Sequence, residues 1–204
     1  MRKIIKMKKD TAYLFIDGTN LYAAQYELFG PKRYLNFGKL ISELEKNLKI
    51  KFNKIYFYAS YSPKSQKPTK KEKEYLKNEA LFYRSARETP RVIFFKGYRS
   101  KTSGKEKEVD VKLAVDIVEK ASRGEFNILF LLSGDADFME ALFAARRLGR
   151  KIRVLCVENK IMYKAFYFFK AYVISFSQKK FKMSMKKPFK RIILPSNFLV
   201  EDCI

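Results

Sequence analysis

The sequence contains no histidine. That removes ribonuclease chemistry built on a His general base, Ser-His-Asp and Cys-His nucleophilic systems, and His-ligated zinc. Cysteine is scarce: Cys156 sits in an apolar run, as a buried thiol would, and Cys203 stands beside the C-terminus. Two cysteines so placed have no metal-ligand spacing and make no disulfide framework, so a reducing, cytoplasmic setting is expected. No apolar run reaches the length of a membrane span. The most aromatic segment, Tyr163 to Phe176, is short and carries Lys164 and Lys170. At the N-terminus, Lys8, Lys9 and Asp10 interrupt the chain before a signal-type apolar stretch develops. Negative charge is also in short supply: 21 Asp+Glu stand against 44 Lys+Arg, for a net charge of +23. The imbalance points to a polyanionic partner, nucleic acid before an acidic membrane surface. A lysine-rich compositional bias is the alternative source of the charge.

Aspartate is rare, and its placement is informative. Of seven Asp, five fall in three short motifs: FIDGTN (Phe15 to Asn20) holds Asp17, EVDVKLAVD (Glu108 to Asp116) holds Asp110 and Asp116, and LLSGDADF (Leu131 to Phe138) holds Asp135 and Asp137. The short Asp side chain fixes a carboxylate close to the backbone, which suits a divalent cation held by oxygen ligands.

Short apolar runs alternate with longer amphipathic stretches. Tyr13–Asp17, Lys54–Ala59, Val92–Lys96, Ile128–Ser133, Ile152–Val157 and Tyr172–Phe176 read as strands, several of them apolar on both faces. Phe37–Leu48, Thr69–Arg87, Val109–Ser122, Ala136–Leu148 and Lys160–Phe169 read as helices. In Val109–Ser122 the expected buried stripe is Val111, Ala114, Val115 and Val118, and Gly149 is a suitable stop after Leu148. The rhythm predicts an α/β fold with a central parallel sheet flanked by helices. Residues 178–204 read as a basic C-terminal tail: Gln178–Lys190 interleaves cations with Phe and Met, and the apolar Ile192–Val200 is expected to pack back on the domain.

In a parallel α/β sheet, ligands bind outside the carboxyl ends of the strands. Asp17 ends the first strand and Asp135 follows the fourth, so both belong at that edge. Neighbouring first and fourth strands would turn both carboxylates into one crevice. Asp110 stands at the start of a helix and can point at the same place, Asp116 lies nearly two turns further along that helix, and Asp137 lies two residues beyond Asp135, in the turn entering the next helix. Such like charges are costly together unless a cation lies among them, and Mg²⁺ or Mn²⁺ suits oxygen-only ligation. Simpler uses exist. Asp137 or Ser133 fits a helix cap, and Asp116 has Lys112 and Lys120 at helical spacing. Gly18 is read as the site of a sharp turn after the strand. Asn20 suits orienting Asp17 or a metal-bound water, Ser133 suits orienting a phosphate, and Lys105 and Lys107 suit neutralising one. The last two also belong to a charge run of the kind that is often merely solvated.

FIDGTN after a strand, VDVKLAVD opening a helix and then LLSGDADF together resemble the NYN domain, a PIN-like nuclease family. The likeness runs from about Ala12 to Phe176. It implies a three-layer PIN-like fold over residues 1–177, a divalent-metal site and cleavage of RNA. By matching motifs it carries over Asp17 and Asn20, then Asp110 and Asp116, then Ser133, Asp135 and Asp137. Glu108 departs from the pattern, since many relatives have a small residue there, often Gly; it either adds a ligand or enlarges the loop. The expected function is therefore a Mg²⁺- or Mn²⁺-dependent ribonuclease. The alternative is an RNA-binding module whose metal site is vestigial or regulatory. A phosphatase or nucleotide hydrolase ranks last, because the chain has no P-loop Gly-Lys-Ser/Thr and FIDGTN lacks a second Asp two residues after the first.

Overall fold

β1 (Ala12–Asp17) is buried at every position, so it must be covered on both faces and paired on both edges. The computed structural model, which describes residues 10–99, 106–158, 168–176, 190–194 and 199–201, shows how. β3 (Phe52–Ser60) lies parallel along one edge of β1 and β6 (Ile128–Leu132) parallel along the other. β4 (Val92–Arg99) extends the sheet beyond β3, and β7 (Lys151–Val157), β8 (Lys170–Phe176) and β9 (Lys190–Leu194) extend it beyond β6. These seven strands are all parallel, in the order β4-β3-β1-β6-β7-β8-β9. The two-residue β5 (Glu106–Lys107) pairs antiparallel with β4 at the edge. β2 (Arg33–Leu35) and β10 (Leu199–Glu201) form a separate antiparallel pair.

The alternation of side chains along each strand divides the core in two. Leu14, Ile16, Ile55 and Phe57 face α1 (Gly18–Phe29), α2 (Phe37–Leu48) and α3 (Lys70–Glu88). Tyr13, Phe15, Tyr56 and Tyr58 face α4 (Val109–Ser122) and α5 (Met139–Arg147). The chain leaves β1 toward β3 and β4, then crosses back with α4 to lay β6 on the other side of β1. The reversal of strand order leaves a crevice between the carboxyl ends of β1 and β6.

Local signals set several helix ends. Asn36 Oδ1 caps α2 by accepting the Lys39 N–H at 2.9 Å, and Thr69 caps α3 by accepting the Glu72 N–H at 3.2 Å. Gly149, at φ +80°, lies just past the end of α5. The expected packing-back of the C-terminal apolar piece is seen in β9, which joins the main sheet, and in β10.

Three expectations need correction. The segment Gly18–Phe29 is a helix that the strand-and-helix pattern left unassigned. Its buried residues Leu21, Tyr22, Ala24, Gln25, Leu28 and Phe29 have helical spacing, and Asp17 caps it. The buried stripe of α4 is Val109, Leu113, Ile117 and Ala121; of the expected set, Ala114 and Val118 are half-buried beside it, whereas Val111 is 67% and Val115 51% exposed. This helix carries apolar residues on two faces, and the one with Leu and Ile went inward. Gly18 does not mark a positive-φ turn. A Cβ there would overlap the Phe57 ring, so glycine is required for close approach of α1 to β3. The helix expected at Lys160–Phe169 falls mostly outside the described residues.

Candidate active site

Asp17, Thr19, Asn20, Ala23, Asp110 and Asp135 line one cavity of about 240 Å³ at the carboxyl edge of the sheet. Three carboxylates thus arrive from three distant segments. Asp17 comes from the end of β1, Asp110 from the first turn of α4, and Asp135 from the loop after β6. Their positions follow from the strand order, because the β1–β6 pairing places Ile16 opposite Leu132 and so brings the two strand ends side by side.

A network of short bonds fixes the loop against the strand. Asp17 is 4% and Ser133 2% exposed. The Ser133 hydroxyl donates to Asp17 Oδ2 at 2.9 Å and accepts the Asp135 N–H at 3.0 Å. The Gly134 N–H donates to Asn20 Oδ1 at 2.7 Å, and the Asn20 N–H donates to Asp17 Oδ1 at 2.9 Å. Asp135 Oδ1 accepts the Asp137 N–H at 2.9 Å. These side-chain-to-backbone bonds hold Ser133 to Phe138 in a loop and delay the start of α5 from Ala136 to Met139.

The Ser133 hydroxyl has one hydrogen, and Asp17 takes it. This is a different task from the phosphate contact expected of Ser133. Asn20 ties the β6 loop to α1 through its oxygen. Asp137 is exposed and is not part of the cavity lining; its described role is to present its N–H to Asp135. Lys105 lies outside the described residues, as does the side chain of Lys107, whose backbone pairs with Tyr98 in the β4–β5 ribbon.

Asp116 faces elsewhere. It is 5% exposed, accepts the Tyr58 hydroxyl at 2.7 Å, and pairs with Lys112 at 2.7 Å and Lys120 at 3.5 Å. Burial opposes its ionisation, but Lys112, Tyr58 and Lys120 together hold the carboxyl below its ordinary range. Tyr58 in turn is pushed far above the usual phenol range by burial and by the Asp116 carboxylate. Of the two uses open to Asp116, the structure shows the pairing with lysines and adds a buried tyrosine as third partner. No sequence spacing could have announced Tyr58, which is 58 residues away.

Among the described residues, no three Asp, Glu or Cys side chains converge closely enough to enclose a metal ion. The cavity is an open one, and its lining supplies oxygen donors from Asp17, Thr19, Asn20, Asp110 and Asp135. That donor set fits Mg²⁺ or Mn²⁺ bound through one or two carboxylates, with water and substrate oxygens filling the other positions. It does not fit a closed all-protein cage. Two helix N-termini soften the repulsion between the acids: Asp17 caps α1, and Asp110 lies in the first turn of α4. Each such placement favours a negative charge by roughly 0.3–1 kcal/mol.

A larger groove of about 540 Å³ lies between α4 and α5, lined by Ala114, Val115, Val118, Glu119, Glu140, Ala141, Ala144 and Arg147. It shares no residue with the carboxylate cavity.

Residues 11–177 match the model of the NYN domain. No curated protein matches the sequence. A crystal structure of a protein of unknown function from Vibrio parahaemolyticus RIMD 2210633 is similar over 94% of this chain and 97% of that one, with a TM-score of 0.58 at 15% identity. At that identity the likeness speaks for the fold alone.

Proposed function

The chain belongs to the NYN domain family, a PIN-like nuclease family, and we propose that it hydrolyses RNA phosphodiester bonds with a divalent metal ion. One observation carries the reading: Asp17, Asp110 and Asp135, separated by long stretches of chain, line a single cavity at the switch point of the parallel sheet. A chain of net charge +23 that gathers acids in one pocket has a use for a cation there.

In this proposal Asp17 and Asp135 are the principal metal-holding carboxylates, with Asp110 in the same cavity lining. Bound Mg²⁺ or Mn²⁺ supplies Lewis-acid polarisation of a phosphoryl oxygen and a lowered pKa for bound water, the task that histidine performs elsewhere. Ser133 keeps the Asp17 carboxylate turned toward the cavity through its donated bond. Asn20 holds the β6 loop, and with it Asp135, at the correct distance from β1. Asp137 braces that loop from outside. Asp116 is left a structural role on α4, where it helps fix the helix that carries Asp110. Lys105 and Lys107 would meet phosphates flanking the scissile bond. The proposal places the protein in the cytoplasm, where Cys156, a buried thiol pushed up to about 12 by burial, stays reduced.

The openness of the cavity gives weight to a second reading, an RNA-binding module whose carboxylates no longer support catalysis. Incubating the protein with labelled single-stranded and duplex RNA and DNA, in Mn²⁺, Mg²⁺ or EDTA, separates the two. Cleavage of RNA that EDTA abolishes and Asp17→Asn removes supports the nuclease. Tight RNA binding with no cleavage in any metal supports the binding module.

A further inference from the structure

β3 runs two residues past the end of β1, since Tyr58 lies opposite Asp17 and the strand continues to Ser60. The Ser60 N–H reaches Thr19 Oγ1 at 3.5 Å, and Thr19 lines the carboxylate cavity. The loop that follows, Tyr61 to Thr69, therefore starts at the rim of that cavity. From Tyr61 to Lys71 the sequence is YSPKSQKPTKK, with four lysines and no acid.

The same device pins the loop twice. Ser62 donates its N–H and its hydroxyl to the two oxygens of Glu79, at 2.8 and 2.7 Å. Ser65 donates its N–H and its hydroxyl to the two oxygens of Glu72, both at 2.8 Å. Glu72 and Glu79 stand seven residues apart on α3, about two turns, and so on one face of the helix. The Ser65 bonds, with a smaller share from Lys64, keep the Glu72 carboxyl below its ordinary value. Tyr61 closes the near end, with its ring edge-on to Tyr83 at 5.2 Å, its hydroxyl accepting from Arg87 at 2.9 Å, and Lys96 over its face at 5.2 Å. Two of the three acids in this stretch of α3, Glu72 and Glu79, are thus engaged with the loop's own donors, and Glu74 is the third. Lys64, Lys67, Lys70 and Lys71 are exposed, and none forms an ion pair among the described residues.

We propose that Tyr61–Lys71 is a pre-set lysine track that carries the phosphate backbone of single-stranded RNA to the carboxylate cavity, an inference that rests on the ribonuclease reading. A solvated charge run has no need of four hydrogen bonds to two carboxylates to hold its backbone still. A substrate track gains from them, because a loop already ordered loses less conformational freedom on binding. Lysine is suited to the task, since it contacts phosphate as a point charge, and phosphate contacts fix register without reading sequence.

The test uses the Asp17→Asn protein, so that RNA is bound but not cut, and a single-stranded RNA oligonucleotide titrated across a salt series. Each phosphate that a variant no longer neutralises should flatten the log–log salt dependence by about 0.7. Changing Lys64, Lys67, Lys70 and Lys71 to Gln is expected to flatten the slope by about 2–3. Changing Lys46, Lys49, Lys51 and Lys151 to Gln, on the opposite edge of the sheet, should alter it by less than about 0.7. The pair Ser62→Ala and Ser65→Ala leaves the charge intact and removes the two hydroxyl bonds while the two backbone N–H bonds remain, which loosens the loop; it is expected to weaken binding several-fold at unchanged slope. If the parent binds RNA and the loop and opposite-edge variants change the slope equally, the track is overturned while the ribonuclease reading stands. If the parent itself does not bind RNA, the ribonuclease reading falls and the track falls with it.

Discussion

The Tyr58 hydroxyl donates a 2.7 Å hydrogen bond to the Asp116 carboxylate, and both residues are buried. This bond joins the inner strand β3 to α4, the helix whose first turn presents Asp110 to the cavity. Lys112 and Lys120 flank Asp116 from its own helix, one turn away on either side. The carboxylate is therefore a tie between two layers of the fold.

Asp116→Asn should destabilise the protein by about 1–3 kcal/mol near neutral pH, the usual range for a buried charged hydrogen bond. Tyr58→Phe should cost less, because the lysines remain; the Lys112 side chain is 41% exposed, so its share is screened. The folded-state pKa of Asp116 is lowered, so its contribution is present above the unfolded value of about 4 and lost as pH falls through the folded one. The stability gap between wild type and Asp116→Asn should accordingly narrow below about pH 4. Urea denaturation at several pH values measures it, and a gap independent of pH would show that the ionised form contributes nothing.

Asp17→Asn and Asp135→Asn should each abolish metal-dependent cleavage with the fold preserved, as circular dichroism would record. Asn retains the acceptor that the Asp137 N–H uses on residue 135, so charge is what changes there. Without metal, Asp135→Asn should raise the melting midpoint by relieving repulsion. Added Mg²⁺ or Mn²⁺ should then stabilise wild type more than the variant. A metal at a hundredfold excess over its dissociation constant contributes about 2.7 kcal/mol. Equal shifts in both proteins would place the ion elsewhere. Asn20→Ala should reduce cleavage less completely, because it supports a ligand rather than being one.

Glu108 holds φ +88° and ψ −35°, a conformation that glycine adopts freely and other residues adopt at a cost of about 1–3 kcal/mol. Its side chain makes no capping bond to α4. Glu108→Gly should raise stability by about 1 kcal/mol after the entropy of a more flexible unfolded chain is subtracted. A drop in stability, read by thermal melting, would mean that the exposed carboxylate makes an important interaction.

Gly18→Ala should destabilise by about 1–3 kcal/mol, the range for overpacking. The Phe57 ring cannot swing aside easily, because it stacks on Phe94 at 5.2 Å and meets Phe37 edge-on at 5.3 Å. Phe57→Leu should cost less in the Gly18→Ala background than alone, and thermal melts of the four proteins give the coupling directly.

The strands that the sequence announced most clearly were the two-sided apolar runs, because only burial on both faces tolerates them. α2 and α4 were bounded correctly, their ends being set by local composition. The helix at Gly18–Phe29 was hidden because its first residues read as turn chemistry: Gly18, Thr19 and Asn20 all favour loops until Asp17 caps them. The buried face of α4 depended on which of two apolar stripes met the sheet, which is a tertiary choice. At the site, Asp17, Asp110 and Asp135 were legible as strand-end and helix-start carboxylates. The employment of Asp116 was not, since the decisive partner, Tyr58, arrives through strand pairing.

The insertion of β6 beside β1 has a consequence for the order of events during synthesis. Ser133 and Asp17 are 116 residues apart, and everything between them must be made before they can meet. A nascent chain that has completed β1, β3 and β4 still has one edge of β1 open, and that edge is the wholly apolar stretch Ala12–Ile16 followed by Asp17. It is the feature most prone to pair with a neighbouring chain. Until β6 closes it, Asp135 is not beside Asp17, so the carboxylate cavity is completed only after the second half of the sheet has been made.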